Sequence, residues 1–268
     1  MFDRLGRREF VTLLGAATAC STTAGAQTAD PRVADLVRAG SIRVGLFLPL
    51  YVKDPATGDL RGNLDGVILI KVAQALATRL GVQLELAGYP TPPEAMNAVK
   101  AGTCDFGFFG IDPTRAAEAD FSPPLVRQEY SYLVPAGSSI RSIADSDRPG
   151  VRVAVVRNHA STVTLSRILK QAELVYAETP VPTFDLVRTG NADVMASVRS
   201  LLLDFSDKLP GSRVLDDHYG ELLLAVALRK GQPGLLTYVS EFVAEAKASG
   251  LLKDAIERSG MRGVEVAP

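Results

Sequence analysis

The stretch Ala101-Gly102-Thr103-Cys104-Asp105-Phe106-Gly107-Phe108-Phe109-Gly110-Ile111-Asp112-Pro113-Thr114-Arg115 sets a helix end, a buried strand and a charged turn side by side. Gly102 can end a helix in the left-handed conformation, and Asp105 can cap the turn that follows. The apolar run over 105–109 then reads as a strand. Arg115 is the only basic residue between Lys100 and Arg127. A guanidinium on such a turn suits a bidentate grip on a carboxylate, which suggests capture of a small anion rather than chemistry on one. Phe121-Ser122-Pro123-Pro124 closes the segment.

Outward from this stretch, strand and helix patterns alternate. A strand over 42–48 is followed by Leu69, Val72, Leu76 and Leu80 at helical spacing, with Gly81 as the stop. A strand over 82–87 follows, and Thr91-Pro92-Pro93-Glu94 has the form of a capping box with proline at the first helical position. The order β-α-β-α-β predicts a largely parallel sheet covered by helices.

The order then repeats. A strand over 151–156 precedes a helix capped at Ser161 or Thr162 and carrying Leu165, Ile168 and Leu169. A strand over 174–176, a short helix over 184–188 and a strand over 193–196 follow. Gly190 and Asp193 repeat the junction seen at Gly102 and Asp105, and these aspartates read as structural. The chain is therefore expected to be α/β with two lobes, each a doubly wound sheet. Residues 30–133 and 222–268 would form the first lobe and 134–221 the second. The C-terminal helices, with Leu235, Tyr238, Val239, Phe242 and Val243, have no sheet of their own and should return to the first lobe. Two crossings make a hinge, and a cleft between lobes is where a ligand would sit.

Residues 1–26 read as an export signal. Arg7-Arg8-Glu9-Phe10 resembles the twin-arginine pattern, a short apolar run follows, and Ala24-Gly25-Ala26 supplies a small-residue cleavage site. Cys20 as a lipidated residue is the alternative. The expected location is periplasmic, with the signal removed. A formal charge of −1 gives no electrostatic case for nucleic acid or a membrane surface. After cleavage only Cys104 remains, so no internal disulfide can form, and two histidines without a cysteine pair give no metal site. No cofactor is expected.

In this order the motifs resemble the periplasmic solute-binding proteins of ABC importers, in the family of polar amino-acid receptors. The carriers are an Ala-x-Arg-Leu-Gly-Val helix end over 77–82, Ala101 to Asp105, the Phe-Ser-Pro-Pro segment and the strand from Gly150. The resemblance implies a type II binding-protein fold with a two-crossing hinge, a monomer working with an inner-membrane ABC permease, and no catalysis. It implies that Arg115 holds the ligand's carboxylate, that amides around Ser161 and Thr162 complete the grip, and that Tyr51 and Phe109 give aromatic contacts. Open amides at a helix start are an anion site in their own right. The chain departs from the family where an aspartate for the ligand's ammonium is common, since Val198 and Arg199 stand there, and Ile70-Lys71 replace an acid near the first helix. Asp112 is the candidate to supply that charge, and His159, beside a helix N-terminus, should lean neutral and donate to a ligand oxygen. The expected function is capture of a small carboxylate-bearing solute, an amino acid or related organic acid, for import. The alternatives are a lyase resembling cyclohexadienyl dehydratase, with Glu129, His159 and Asp112 as acid-base candidates, and the ligand-binding component of a sensor.

Overall fold

The computed structural model describes residues 30–157 and 159–268, so the expected export segment lies outside the described residues. The chain begins with α1 (Ala34–Ala39) and β1 (Ser41–Phe47), then a small hairpin of β2 (Tyr51–Lys53) and β3 (Leu60–Gly62). Next come α2 (Gly66–Leu80), β4 (Gln83–Tyr89), α3 (Pro92–Ala101) and β5 (Phe106–Gly110). A short α4 (Pro113–Glu118) and β6 (Ala119–Phe121) lead into the long β7 (Val126–Val134). The second half runs α5 (Ile143–Ser146), β8 (Arg152–Val156), α6 (Ala160–Ile168), β9 (Glu173–Ala177) and α7 (Pro180–Arg188). It continues through β10 (Val194–Val198), α8 (Arg199–Ser206), β11 (Arg213–Val214) and the long β12 (Gly220–Arg229). The chain closes with α9 (Pro233–Ala248), α10 (Leu251–Ser259) and β13 (Val264–Val266).

The capping signals act as the sequence suggests at several ends. Thr91 caps α3, its hydroxyl accepting the Glu94 N–H, and Gly81 and Gly102 close α2 and α3 with φ of 69° and 73°. The α2 stripe faces inward, with Leu69, Val72, Leu76 and Leu80 all buried. The turn around Arg115 differs: it is a six-residue helix whose cap is Asp112, a local competition that a sequence of this length scarcely signals. The start of α6 also differs. His159 is its cap position, and Ser161 and Thr162 lie inside the helix.

Both halves use the same strand order. In the first, β1 lies between β4 and β5 and runs parallel to both. In the second, β8 lies between β9 and β10, again parallel to both. The expected two sheets are joined into one curled, eleven-stranded sheet in the order β4-β1-β5-β12-β7-β10-β8-β9. The join comes from strand length. β12 pairs with β5 near Leu224 and with β7 near Leu222, while β7 continues to pair with β10 from Tyr130 to Leu133. The apolar cores remain separate. One gathers α2, β1 and the C-terminal α9 and α10, including Leu235, Val239, Phe242 and Leu252. Another gathers Tyr132, Val153, Val155, Leu165 and Val194 in the second half.

The repeated Gly-x-x-Asp junction has a partner that the sequence reading missed. Asp105 accepts the Arg43 N–H (2.8 Å) and its Nη2 (2.7 Å), and Arg43 Nη2 also donates to the Gly102 carbonyl (2.9 Å). Asp193 does the same with Arg152, at 2.8 and 3.0 Å, and Arg152 Nη2 reaches the Gly190 carbonyl (2.9 Å). Each aspartate thus ties the start of its half's first strand to the strand that pairs with it. Removing the carboxylate leaves a strand N–H and a guanidinium without their acceptor. Asp105→Ala is expected to cost about 2 kcal/mol in urea unfolding. Asp193→Ala should cost less, because that side chain is 37% exposed against 13% for Asp105. Equal, negligible losses would show the junction to be incidental.

Candidate functional site

The strand order itself selects a place for a ligand. In each half the chain leaves the middle strand toward one neighbour and returns to the other, so a crevice opens between the carboxyl ends of β1 and β5, and of β8 and β10. In open α/β sheets these switch points are where ligands bind. The first crevice is bordered by Leu48 after β1 and by Ile111, Asp112 and α4 after β5. The second is bordered by His159 and the start of α6, and by Val198 and Arg199 at the end of β10.

Arg115 is held firmly at the first crevice. Its Nη1 donates to the Gly110 carbonyl (2.9 Å) and lies 3.3 Å from Asp112 Oδ2. Its guanidinium carbon sits 5.9 Å from the centre of the Phe109 ring. Gly110 permits this approach, since a Cβ there would lie 2.6 Å from Leu222 Cδ1 and 3.4 Å from Arg115 Nη1. Among the described residues, Nε and Nη2 have no hydrogen-bond partner, and the side chain is 31% exposed. That leaves one edge of the fork to receive an anion. Asp112 is committed to structure, its Oδ1 accepting the N–H groups of Thr114 (2.8 Å) and Arg115 (3.0 Å).

At the second crevice, α6 starts without a side-chain cap among the described residues. The first-turn amides of Ala160, Ser161 and Thr162 have no intrahelical acceptor by construction. The Ser161 hydroxyl is 2.8 Å from His159 Nδ1, and the Thr162 hydroxyl donates to the Val156 carbonyl (2.7 Å). Ser161 and Thr162 are buried as whole residues, and Ala160 is half-buried. Burial holds the His159 imidazole below its ordinary pKa, which keeps it neutral at pH 7.

Aromatic rings bridge the two crevices. Tyr130 on β7 feels the charges of Arg115 and Asp112, and burial pushes its hydroxyl up to about 12. Its ring centre is 5.7 Å from that of Tyr219, whose hydroxyl lies beside Ser161. Gly220 sits between Tyr130 and Thr164 of α6. Tyr130 and Tyr219 therefore form a floor running from the α4 side to the α6 side.

Tyr51 and Phe109 do not line the crevice as expected. Tyr51 is buried over Gly88, with its hydroxyl donating to the Tyr89 carbonyl (3.3 Å). Phe109 is fully buried and stacks on Phe47 at 5.4 Å, supporting Arg115 from behind. Tyr51 is the one buried residue of its short strand, whereas β5 is buried along its whole length, so Phe109 has no exposed face to occupy. Glu129 is likewise taken up, at 2.8 Å from Arg199 Nε and 3.4 Å from His218 Nδ1. Arg199 also donates to the Leu215 and Asp216 carbonyls, turning it away from the place where an ammonium partner is common.

A sequence model of the bacterial extracellular solute-binding proteins, family 3, matches residues 56–260. The chain belongs to this family. Among solved structures, the chain resembles the ancestral amino acid-binding protein AncCDT-1, a precursor of cyclohexadienyl dehydratase. The TM-score is 0.66, with 27% identity over 84% of this chain and 96% of that one. A putative ABC-transporter binding component from Wolinella succinogenes, complexed with lysine, shares the fold. Its TM-score is 0.69, with 24% identity over 82% of this chain and 95% of that one. Among curated proteins, the virulence sensor protein BvgS of Bordetella pertussis is 30% identical over 120 residues, 44% of this chain. The same sensor from Bordetella bronchiseptica is 28% identical over 160 residues, 59% of this chain. This chain spans only about a tenth of the length of these sensors. No helix among the described residues is long and apolar enough to cross a membrane.

The sequence reading pointed to Arg115, Asp112 and the α6 start, which border the two crevices of this family 3 protein. It missed Leu48, Ile111, Tyr130 and Tyr219. The last two sit on the crossing strands, where alternation along β7 places Gln128, Tyr130 and Tyr132 on one face.

Proposed function

We propose that the protein is an exported, non-catalytic receptor that closes on a small carboxylate-bearing solute, an amino acid or related organic acid, and hands it to an ABC permease. The observation that carries this reading is Arg115, pinned at one switch point with one guanidinium edge unpaired among the described residues, while the α6 start, without a side-chain cap among them, borders the other. Arg115 would take one carboxylate oxygen pair, the amides of Ser161 and Thr162 would close from the second lobe, and His159 would donate or accept at the rim. Asp112 Oδ1 caps α4, so an ammonium would have to share Oδ2 with Arg115. Hinge motion along β7 and β12 would bring the two sides together and exclude water from the ion pair. The lobe limits 30–133 with 222–268, and 134–221, belong to the same proposal.

The lyase alternative would draw its acid or base from Glu129, His159 or Asp112. The three acid-base candidates are separately engaged, Glu129 with Arg199, His159 with Ser161 and Asp112 as a helix cap. A sensor role is the second reading, favoured by the similarity to the BvgS proteins.

The test is a thermal-shift screen against amino acids, dicarboxylates and 2-oxo acids. A solute at about a hundred times its dissociation constant should add roughly 2.7 kcal/mol of stability. Stabilisation by at least one carboxylate is expected, with no turnover of prephenate or arogenate. Silence across the library, or conversion of either compound, would contradict the reading.

A further inference from the structure

The two rings expected as walls lie in the core, and what stands exposed at the first crevice is aliphatic. Leu48 is 49% exposed and Ile111 37% exposed. β1 and β5 are paired with Gly45 opposite Gly107, and continuing that register brings Leu48 level with Gly110. Gly110 is the residue whose carbonyl holds Arg115, and Ile111 follows it directly. Leu48 and Ile111 thus stand at the ends of the two strands that border the switch point, next to the residue that holds Arg115.

Their exposure is not scattered. Eight large hydrophobic side chains stand exposed among the described residues, and four of them are Leu48, Val52, Leu64 and Ile111. All four belong to just two connections, from β1 to α2 and from β5 to α4. Single exposed apolar residues need no explanation, but a group on one rim marks a contact surface. Three of the four carboxylates on these two connections are already engaged, Asp59 being the exception among the described residues. Asp112 caps α4 and faces Arg115, and Asp54 is paired with Arg61 and holds the Ala56 N–H. Asp65 presents no acceptor outward, since its Oδ2 accepts from Gln128 and its Oδ1 is buried.

We propose that the solute carries an uncharged aliphatic body, packed between Leu48 and Ile111, with its carboxylate on Arg115. The ligand class is a branched aliphatic acid, either an α-amino acid or the corresponding 2-oxo acid, rather than a solute with a charged side chain. This deepens the receptor reading and rests on it.

The experiment is titration calorimetry of the full chain with leucine, 4-methyl-2-oxopentanoate, alanine, pyruvate, lysine and glutamate. Leucine or its 2-oxo analogue is expected to bind at least tenfold tighter than lysine or glutamate, and which of the two wins tells whether an ammonium is recognised. Ile111→Ser and Leu48→Ser should each weaken the branched ligand about tenfold while changing the matching short ligand, alanine or pyruvate, less than threefold. Both substitutions are at exposed positions, so folding is not at stake. Tightest binding of lysine or glutamate, lost in Arg115→Ala, would overturn the aliphatic proposal and leave the receptor reading standing. Equal losses for long and short ligands would make the rim an interlobe packing surface and overturn it as well. Failure of every carboxylate to bind would remove both readings.

Discussion

Arg115→Ala is expected to weaken binding of the captured carboxylate by about a hundredfold, roughly 3 kcal/mol, in titration calorimetry. The size follows from what the closed cleft would leave behind. A desolvated carboxylate deprived of its guanidinium partner loses a charge-assisted, two-point contact and keeps the desolvation cost. Arg115→Lys should recover part of the loss, because the charge returns without the planar fork. The unliganded protein should be little affected, since the side chain is 31% exposed and its structural contacts are one carbonyl and the neighbouring Asp112. Urea unfolding of the variant checks that point. A dissociation constant unchanged in Arg115→Ala would remove the anchor from the account.

The second large effect concerns the pH dependence of stability. Asp65 stands at the start of α2, its Oδ2 accepting from Gln128 Nε2 (2.8 Å), and Gln128 Oε1 accepts from the Ser200 hydroxyl (2.5 Å). The chain of bonds therefore links α2, the crossing strand β7 and the start of α8. Asp65 Oδ1 is buried without a partner, and burial pushes the carboxyl up to about 6 from 3.8. A carboxyl whose folded pKa is raised binds its proton more tightly in the folded state. Its favourable contribution is complete below about pH 4, is lost as pH rises to about 6, and stays lost above. The shift of about two units corresponds to roughly 3 kcal/mol across that window. Asp65→Asn keeps an acceptor for Gln128 and cannot ionise. Relative to the parent, its unfolding free energy should improve by about 3 kcal/mol between pH 4 and pH 7.5. Parallel stability curves for the two proteins would show that Asp65 does not titrate in this range.

Most of the architecture was legible because it depends on local signals. The α2 stripe, the Thr91 cap and the Gly102 and Gly190 junctions each specify their own turn or face. The joining of two sheets into one was not legible, because it depends on β7 and β12 being long enough to pair on different sides at their two ends. Arg43 and Arg152 escaped notice for a related reason. They look like solvated strand residues until pairing brings them to Asp105 and Asp193, some 62 and 41 residues away. At the candidate site, Arg115 stood out in the sequence because it is isolated in charge, and Asp112 because it adjoins that arginine. The walls were misplaced because a ring near a crevice in sequence can be buried in the core. Tyr51 and Phe109 point inward, and the exposed positions fall to Leu48 and Ile111 one or two residues from a strand end. Strand order, which selects these ends, becomes available only with the three-dimensional pairing.

The most direct test is a crystal structure of the protein with the solute that stabilises it most in the thermal screen. The account predicts the ligand's carboxylate within about 3 Å of the Arg115 guanidinium, with the Ser161 and Thr162 amides closing from the other lobe. A ligand bound outside the crevice between β1 and β5, or one whose carboxylate avoids Arg115, would contradict it.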